Sequence, residues 1–370
     1  MKKLLALGFL LSVMVPIVHA EDAATIKARV GKAAKGETVQ LPAGTFALGD
    51  LLLPDGASLK GAGYKATIID ASGHDFGLIV NGKAPARISD LAVASAAQAG
   101  VRLDGASNVA VERVLVRNCG SGVLARNGSK IALRNLVLAD NYAGVNLARI
   151  TDSSLVNCTV AYSGSTALRI DACDRLAIFN NLFTYAATGI SVNGANGQLA
   201  IDRNLCIANW VGRMAGEAAR RKVEAWSALS GHDKHSLTIG VTYGNRDAGD
   251  LRPTSPLPWA PDRATTSDWG VAALGGAKAP RTDIDGKPRV GGVDLGAYEA
   301  GFGAPREPDG TFTVQSGSGV TSAGLFTQDD RCVRYLFQNL PLQKGAYRYW
   351  LPTRDWQGRP CRREVQAQDR

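Results

Sequence analysis

Short runs in which apolar and polar residues alternate recur through the middle of the chain at a fixed step. Five align on a small residue: AGVRLDG (99–105), SGVLARNG (121–128), AGVNLAR (143–149), TALRIDA (166–172) and TGISVNG (188–194). The small residues Gly100, Gly122, Gly144, Ala167 and Gly189 are 22, 22, 23 and 22 positions apart. A second apolar series keeps the same step: ISDLAV (88–93), VERVLV (111–116), LRNLVL (133–138), LVNCTV (155–160), IFNNLF (178–183) and IDRNLC (201–206). Alternation with a period of two marks strands, because successive side chains point to opposite faces. A fixed longer period marks stacked structural repeats. Units this short hold two or three strands and tight Gly/Asn turns, with no room for a helix between strands. β-branched residues and glycine dominate, where a leucine-rich repeat needs leucine at fixed offsets. The pattern predicts an all-β, right-handed parallel β-helix with rungs of about 22 residues.

Stacking at the interstrand spacing of roughly 4.8 Å places equivalent residues in columns. Val101, Val123, Val145, Leu168 and Ile190 form an inward, core column. Asn135, Asn157 and Asn180 share one turn column, and Asn181 and Asn204 the next, where their side chains can bond to each other and to backbone. Cys206 falls at an inward position. Residues 23–36 are helix-like and suited to capping the open end of a solenoid, with strands expected within 36–48 and 57–73. Residues 211–228 break the rung pattern. Ala215, Ala219, Val223 and Trp226 recur at helical steps, so a helical insertion is expected there. Trp226 would pack on the solenoid, and Arg220, Arg221 and Lys222 would face solvent or wall in an anionic chain.

The first twenty residues read differently. Lys2 and Lys3 precede an apolar run that ends in Val18-His19-Ala20, the pattern of a secretory signal peptide with cleavage after Ala20. Nothing later is long and apolar enough to span a bilayer. The expected organisation is a signal peptide (1–20), a β-helix domain (21–303) and a small β-rich segment (304–370). That last segment holds 8 of the chain's 24 aromatic residues and follows a Gly/Pro-rich linker. Trp350 or Trp356 could serve a sugar-binding surface there. Loss of Lys2 and Lys3 takes the net charge from +9 to +7. An exported chain enters an oxidising compartment, and Cys332 and Cys361 are the expected disulfide. No CxxC pair is present.

The opening GETVQLPAGTF with LKGAGYKATIID resembles the start of the pectate-lyase-like β-helix superfamily. VEAWSALSGHDKHSLTIG (223–240), GDLRPTSPL (249–257) and RTDIDGKPRVGGVDLGAYE (281–299) resemble the closing rungs of secreted bacterial β-helix repeat proteins. The resemblance covers roughly 23–300 and implies the fold and a polysaccharide partner. It does not carry over a known active site. The polygalacturonase signature reduces here to Asp329-Asp330, outside the solenoid, and the Asp-Pro-His-Asp of mannuronan epimerases is absent.

Candidate chemistry lies on the outward side of the AGVRLDG series. Arg102 and Asp104, Arg126, Asn146, Arg169 and Asp171, then Ser191 and Asn193, form a polar ladder about 20 Å long. Arginine forks match carboxylates, so the expected ligand is an anionic, uronate-containing polysaccharide. Arg102, Arg126 and Arg169 are the catalytic candidates for β-elimination, in which a cation stabilises enolate-like charge and a base removes the proton beside the carboxylate. Related β-helix lyases combine arginine or lysine with Ca²⁺, so calcium is the cofactor the resemblance implies. Hydrolysis is disfavoured, because Asp104 and Asp171 stand three rungs, roughly 14 Å, apart, too far to flank one bond. Asp233 and His235 are the metal-ligand candidates. The alternative is a non-catalytic glycan-binding or structural protein of the envelope or extracellular space. A monomer without nucleic-acid or membrane partners is expected.

Overall fold

The computed structural model describes residues 22–238, 241, 243–247, 249–253, 270–289 and 293–299, together with the backbone strands Gly310–Val314, Val320–Phe326, Cys332–Pro341 and Gly345–Tyr349. The expected signal peptide, its cleavage after Ala20, Trp350, Trp356 and Cys361 of the expected Cys332–Cys361 disulfide lie outside the described residues.

Eighteen strands, from Thr38–Gln40 to Leu205–Met214, join in one hydrogen-bonded system of about eight turns. This is the parallel β-helix expected from the sequence. The register follows the predicted period: Val101 pairs with Val123, Val123 with Val145, Val145 with Leu168, and Leu168 with Ile190. Every member of that column is 1% exposed or less. The column continues at both ends, through Leu51 and Leu78 before it and Gly212 after it. Gly212 is required, since a Cβ there would meet the Trp226 ring at 2.1 Å.

Helix α1 (Ala23–Gly31) begins at Asp22, whose side chain accepts from the Thr25 N–H at 2.7 Å, a standard N-cap. Its Ile26 and Val30 are fully buried and join the main core, closing the amino end of the solenoid.

Turn chemistry is concentrated in columns. Asp90, Arg113, Asn135, Asn157, Asn180 and Arg203 all adopt left-handed backbone, with φ from 50° to 60°. Asparagine is at home there, because its short side chain tolerates that region and bonds locally. Asn180 donates to Asn157 at 3.4 Å, but the column's main partner is the carboxyl end of the chain. Asn180 donates to the Val271 carbonyl, Asn157 to that of Asp294, and Asn135 to that of Thr282. Residues 270–289 and 293–299 therefore run as a strap along one side of the rungs. Arg289, with a side chain only 3% exposed, donates to Asn135 Oδ1 and the Gly296 carbonyl at 3.0 Å each and ion-pairs with Glu299. The strap's Asp285 accepts from Tyr64 Oη at 2.8 Å and pairs with Arg252. The DxxGxPR and DxGAYE segments are thus the fastening of the solenoid.

A second asparagine column points inward. Asn204 Oδ1 accepts from the Asn181 backbone N–H at 3.1 Å, and Asn181 Oδ1 from that of Cys158 at 2.9 Å. The same relation recurs at two other corners, from Cys119 to Asn141 and from Cys173 to Asn196. Three cysteines thus each sit one rung before an asparagine, as small apolar fillers below a hydrogen-bonding cap. Cys119, Cys158, Cys173 and Cys206 are all buried free thiols.

The expected helix over 211–228 is corrected. Residues up to Met214 continue the last strand, and helix α2 covers only Val223–Ser230. Gly216 takes a positive φ of 79° in the turn between them, and Gly212 and Arg220 exchange backbone hydrogen bonds as an antiparallel bridge. The alanine spacing looked helical, but strand pairing to Ser191 and Val192 holds Arg213 and Met214 extended. Trp226 does pack on the solenoid and is fully buried. Among the described residues, no helix is long and apolar enough to cross a membrane. In the carboxyl-terminal segment, Gly310–Val314 pairs with Gly345–Tyr349 and Val320–Phe326 with Cys332–Pro341, both antiparallel.

Candidate functional site

The outward ladder exists, and its register resolves into two parallel columns. One runs Arg102, Leu124, Asn146, Arg169, Ser191 and Arg213. The other runs Asp104, Arg126, Ala148, Asp171 and Asn193. Alternation puts both on the same face, two residues apart on each strand. Arg126 therefore stands beside Asp104, one column away from Arg102 and Arg169.

Pairing within the ladder decides which groups are free. Arg102 Nη2 donates to Asp104 Oδ2 at 2.7 Å while its guanidinium lies 4.7 Å from the centre of the Phe76 ring. Asn127 donates to the other Asp104 oxygen at 3.3 Å. The hydrogen bond from Arg102, with help from Asn127 and the nearby Arg126 charge, holds the Asp104 carboxyl below the usual carboxylate range against the opposing push of burial. Arg169 donates to Asp171 at 3.4 Å. Asn146 donates to Ser121 Oγ, and Asn193 to Ser191 Oγ. Arg126 is exposed, and its side chain has no hydrogen bond or ion pair among the described residues. It lines an open cleft of about 340 Å³ with Asn146, Arg149, Arg169 and Asp171. Arg149 reaches the rim from a left-handed bend within the strand Ala143–Val156 and donates to Asn127 at 2.6 Å.

Two rim cations escaped the sequence pattern. Arg213 was hidden by the helical reading of its segment, although it stands 22 residues after Ser191 in the established period. Arg149 lies within the strand Ala143–Val156 at a left-handed bend, with φ 52°, where alternation stops being informative.

The metal-ligand candidates separate. Asp233 is 3% exposed and faces inward. It accepts from Trp226 Nε1 at 2.9 Å, Ser236 Oγ at 2.6 Å and Asn204 Nδ2 at 3.1 Å. Ser236 Oγ in turn accepts from the Asn204 backbone N–H. His235 lies outside, with Nδ1 2.6 Å from Asp202 Oδ2. Gly231 ends α2 in the left-handed conformation. The GHDKHS stretch thus stops the helix and pins it to the last rung of the inner asparagine column. His232 is half-buried, and burial holds its imidazole below the ordinary value against the pull of Asp233.

A family model described as "Periplasmic copper-binding protein (NosD)" matches residues 54–219. No curated protein sequence matches the chain. Among solved structures, an alginate lyase from Paenibacillus sp. str. FPU-7 is similar at 16% identity and a TM-score of 0.39, over 53% of this chain and 90% of that one. The Agl-KA catalytic domain is similar at 19% identity and a TM-score of 0.39, over 61% of this chain and 46% of that one. An iota-carrageenase complexed to iota-carrageenan fragments is similar at 11% identity and a TM-score of 0.30, over 57% and 58%.

Copper requires imidazole, thiolate or thioether donors gathered at one point. Among the described residues, no three His, Cys, Asp or Glu side chains come together in that way. Burial pushes the Cys119 thiol up to about 11 and that of Cys158 up to about 12, away from the thiolate a metal needs. The described residues do not fit a copper centre. Calcium takes six to eight oxygens, whereas Asp104 and Asp171 are each engaged by an arginine on their own strand.

Proposed function

We propose that the protein is exported and binds an acidic, uronate-containing polysaccharide lengthwise on the arginine ladder. The carrying observation is Arg126, an exposed guanidinium that neighbours Asp104 but forms no ion pair or side-chain hydrogen bond among the described residues, set in a cleft whose other cations are Arg149 and Arg169. A planar fork of this kind takes a sugar carboxylate through two parallel hydrogen bonds. The rung spacing of roughly 4.8 Å repeats the polar groups along the direction in which a polymer would lie. Arg102 and Arg169 each carry their own Asp, so their net contribution to the field is small, and Arg126, Arg149 and Arg213 provide the excess positive charge.

If turnover accompanies binding, its class is β-elimination. A guanidinium against the uronate carboxylate draws charge from the neighbouring C–H and stabilises the enolate-like state. The separation of Asp104 and Asp171 disfavours hydrolysis. The second reading, binding without cleavage, is favoured by the pairing of Asp104 with Arg102 and Asp171 with Arg169, which leaves neither carboxylate free to act as base.

The test is incubation with a panel of polyuronates and glycosaminoglycans, with and without Ca²⁺. Binding is followed by calorimetry and elimination by the ultraviolet absorbance of the unsaturated sugar. Arg126→Ala is expected to weaken binding by about 1.5–3 kcal/mol, the range for a charge-assisted contact. Absence of binding to every member of the panel overturns the proposal. Binding without new absorbance selects the non-catalytic reading.

A further inference from the structure

The ladder does not end at its last rung as a plain sheet edge. Arg213 is the outward residue of the final ladder strand and continues the column of Arg102, Asn146, Arg169 and Ser191. Trp210 stands three residues earlier on that strand, paired with Thr188. The chain then turns at Gly216 and comes back, so that Arg220 bridges Gly212. The next residue, Arg221, lies over the Trp210 ring, with its guanidinium carbon 4.7 Å from the ring centre. Arg213 and Arg221 are both exposed, and neither has a carboxylate partner among the described residues. Arg220, by contrast, pairs with Glu217 at 3.6 Å.

Stacking on an aromatic face restrains the plane of a guanidinium while leaving its N–H edges outward. A fork restrained before binding loses less rotamer freedom when a carboxylate arrives. From this we infer that Trp210, Arg213 and Arg221 form a second carboxylate-anchoring subsite at the carboxyl end of the ladder, resting on the proposed polyuronate function. The unpaired cations of the face then fall at two places, around Arg126 and around Arg213 and Arg221. Four rungs separate Arg126 from Arg213, roughly 19 Å by the strand spacing. The paired Arg102–Asp104 and Arg169–Asp171 units contribute little net charge. A chain long enough to reach both places is held at two points, and each point raises the effective concentration of the other.

The experiment uses the full chain and size-fractionated oligouronates, from disaccharides to oligomers long enough to span both places. Binding is measured by calorimetry and by tryptophan fluorescence. The parent protein is expected to bind spanning oligomers at least tenfold more tightly than short ones. It is also expected to show a fluorescence change that Trp210→Phe removes. Arg213→Ala with Arg221→Ala should reduce the affinity for spanning oligomers about tenfold and abolish most of the length dependence. The far-ultraviolet spectrum and melting temperature should be unchanged, because both side chains are exposed. If that double variant binds spanning oligomers as tightly as the parent while Arg126→Ala weakens them, the second subsite is refuted and the ladder reading stands. If the parent binds no oligouronate of any length, both are overturned.

Discussion

Replacing Asp233 by Ala removes the carboxylate that, with Ser236, closes the inner asparagine column. Its two oxygens accept from the Trp226 indole, the Ser236 hydroxyl and the Asn204 amide, and all three donors are buried. The serine hydroxyl can rotate to a new acceptor, but the indole and amide N–H groups are fixed in place. Two buried donors without partners cost about 1–3 kcal/mol each, so a loss of about 2–6 kcal/mol is expected. Asp233→Asn keeps the shape and one acceptor but turns an amide donor toward one of the existing donors, and should cost less, about 1–3 kcal/mol. Because each rung contacts only its neighbours, the damage should begin at the carboxyl end. Equilibrium urea unfolding gives the total. Hydrogen exchange locates it, with protection lost first over Leu205–Met214 and α2. A cost below about 1 kcal/mol for the alanine variant would refute the argument that this carboxylate is a structural pin. So would a fall in the parent's melting temperature on addition of a chelator, which would return Asp233 to a metal.

Three further outcomes are expected. Val145→Asp should unfold rungs, because it sets an unpaired charge in a fully buried column, whereas Arg126→Ala should cost less than about 1 kcal/mol; paired urea titrations separate the two. Burial raises the Asp90 carboxyl, but the two bonds from Arg113, at 2.6 and 2.8 Å, outweigh it and hold it below its ordinary value. A depressed native value gives stability that is full above the unfolded carboxylate range and lost as pH falls through the native one. Asp90→Asn should therefore flatten the acid limb of melting temperature against pH, below about pH 4. Native protein at mildly alkaline pH should leave Cys119, Cys158, Cys173 and Cys206 unalkylated, since all four are buried with thiols shifted upward. Peptide mapping before and after denaturation checks this, and native labelling of Cys158 would contradict the packing.

The solenoid was legible because its determinants are local and repeated. A period of 22 or 23 residues with strand alternation fixes which side chains enter the core, and the register follows, since a slip of one residue would expose every valine in the column. The ladder residues Arg102, Asp104, Arg126, Asn146, Arg169, Asp171 and Asn193 were legible for the same reason, as the opposite phase of that alternation. Their division into paired and unpaired charges was not. Whether a guanidinium meets a carboxylate two residues along its own strand, as Arg102 does, or none, as Arg126 does, is set by rotamers and neighbouring rungs that no spacing encodes. The segment 211–228 misled because alanine steps of four suit a helix, while the pairing of Arg213 with Ser191 and the bridge from Gly212 to Arg220 involve partners distant in sequence. Asp233 and His235, adjacent to one lysine in the chain, were separated by the tertiary structure, which buries one carboxylate under Trp226 and leaves the imidazole outside on Asp202. The strap is the largest contribution of tertiary structure. Asn135, Asn157 and Asn180 could be read as a stacked column, but only the folded chain shows residues 270–289 and 293–299 lying across it. That side of the solenoid is thereby occupied by the protein's own backbone, and among the described residues the arginine face is left open to solvent.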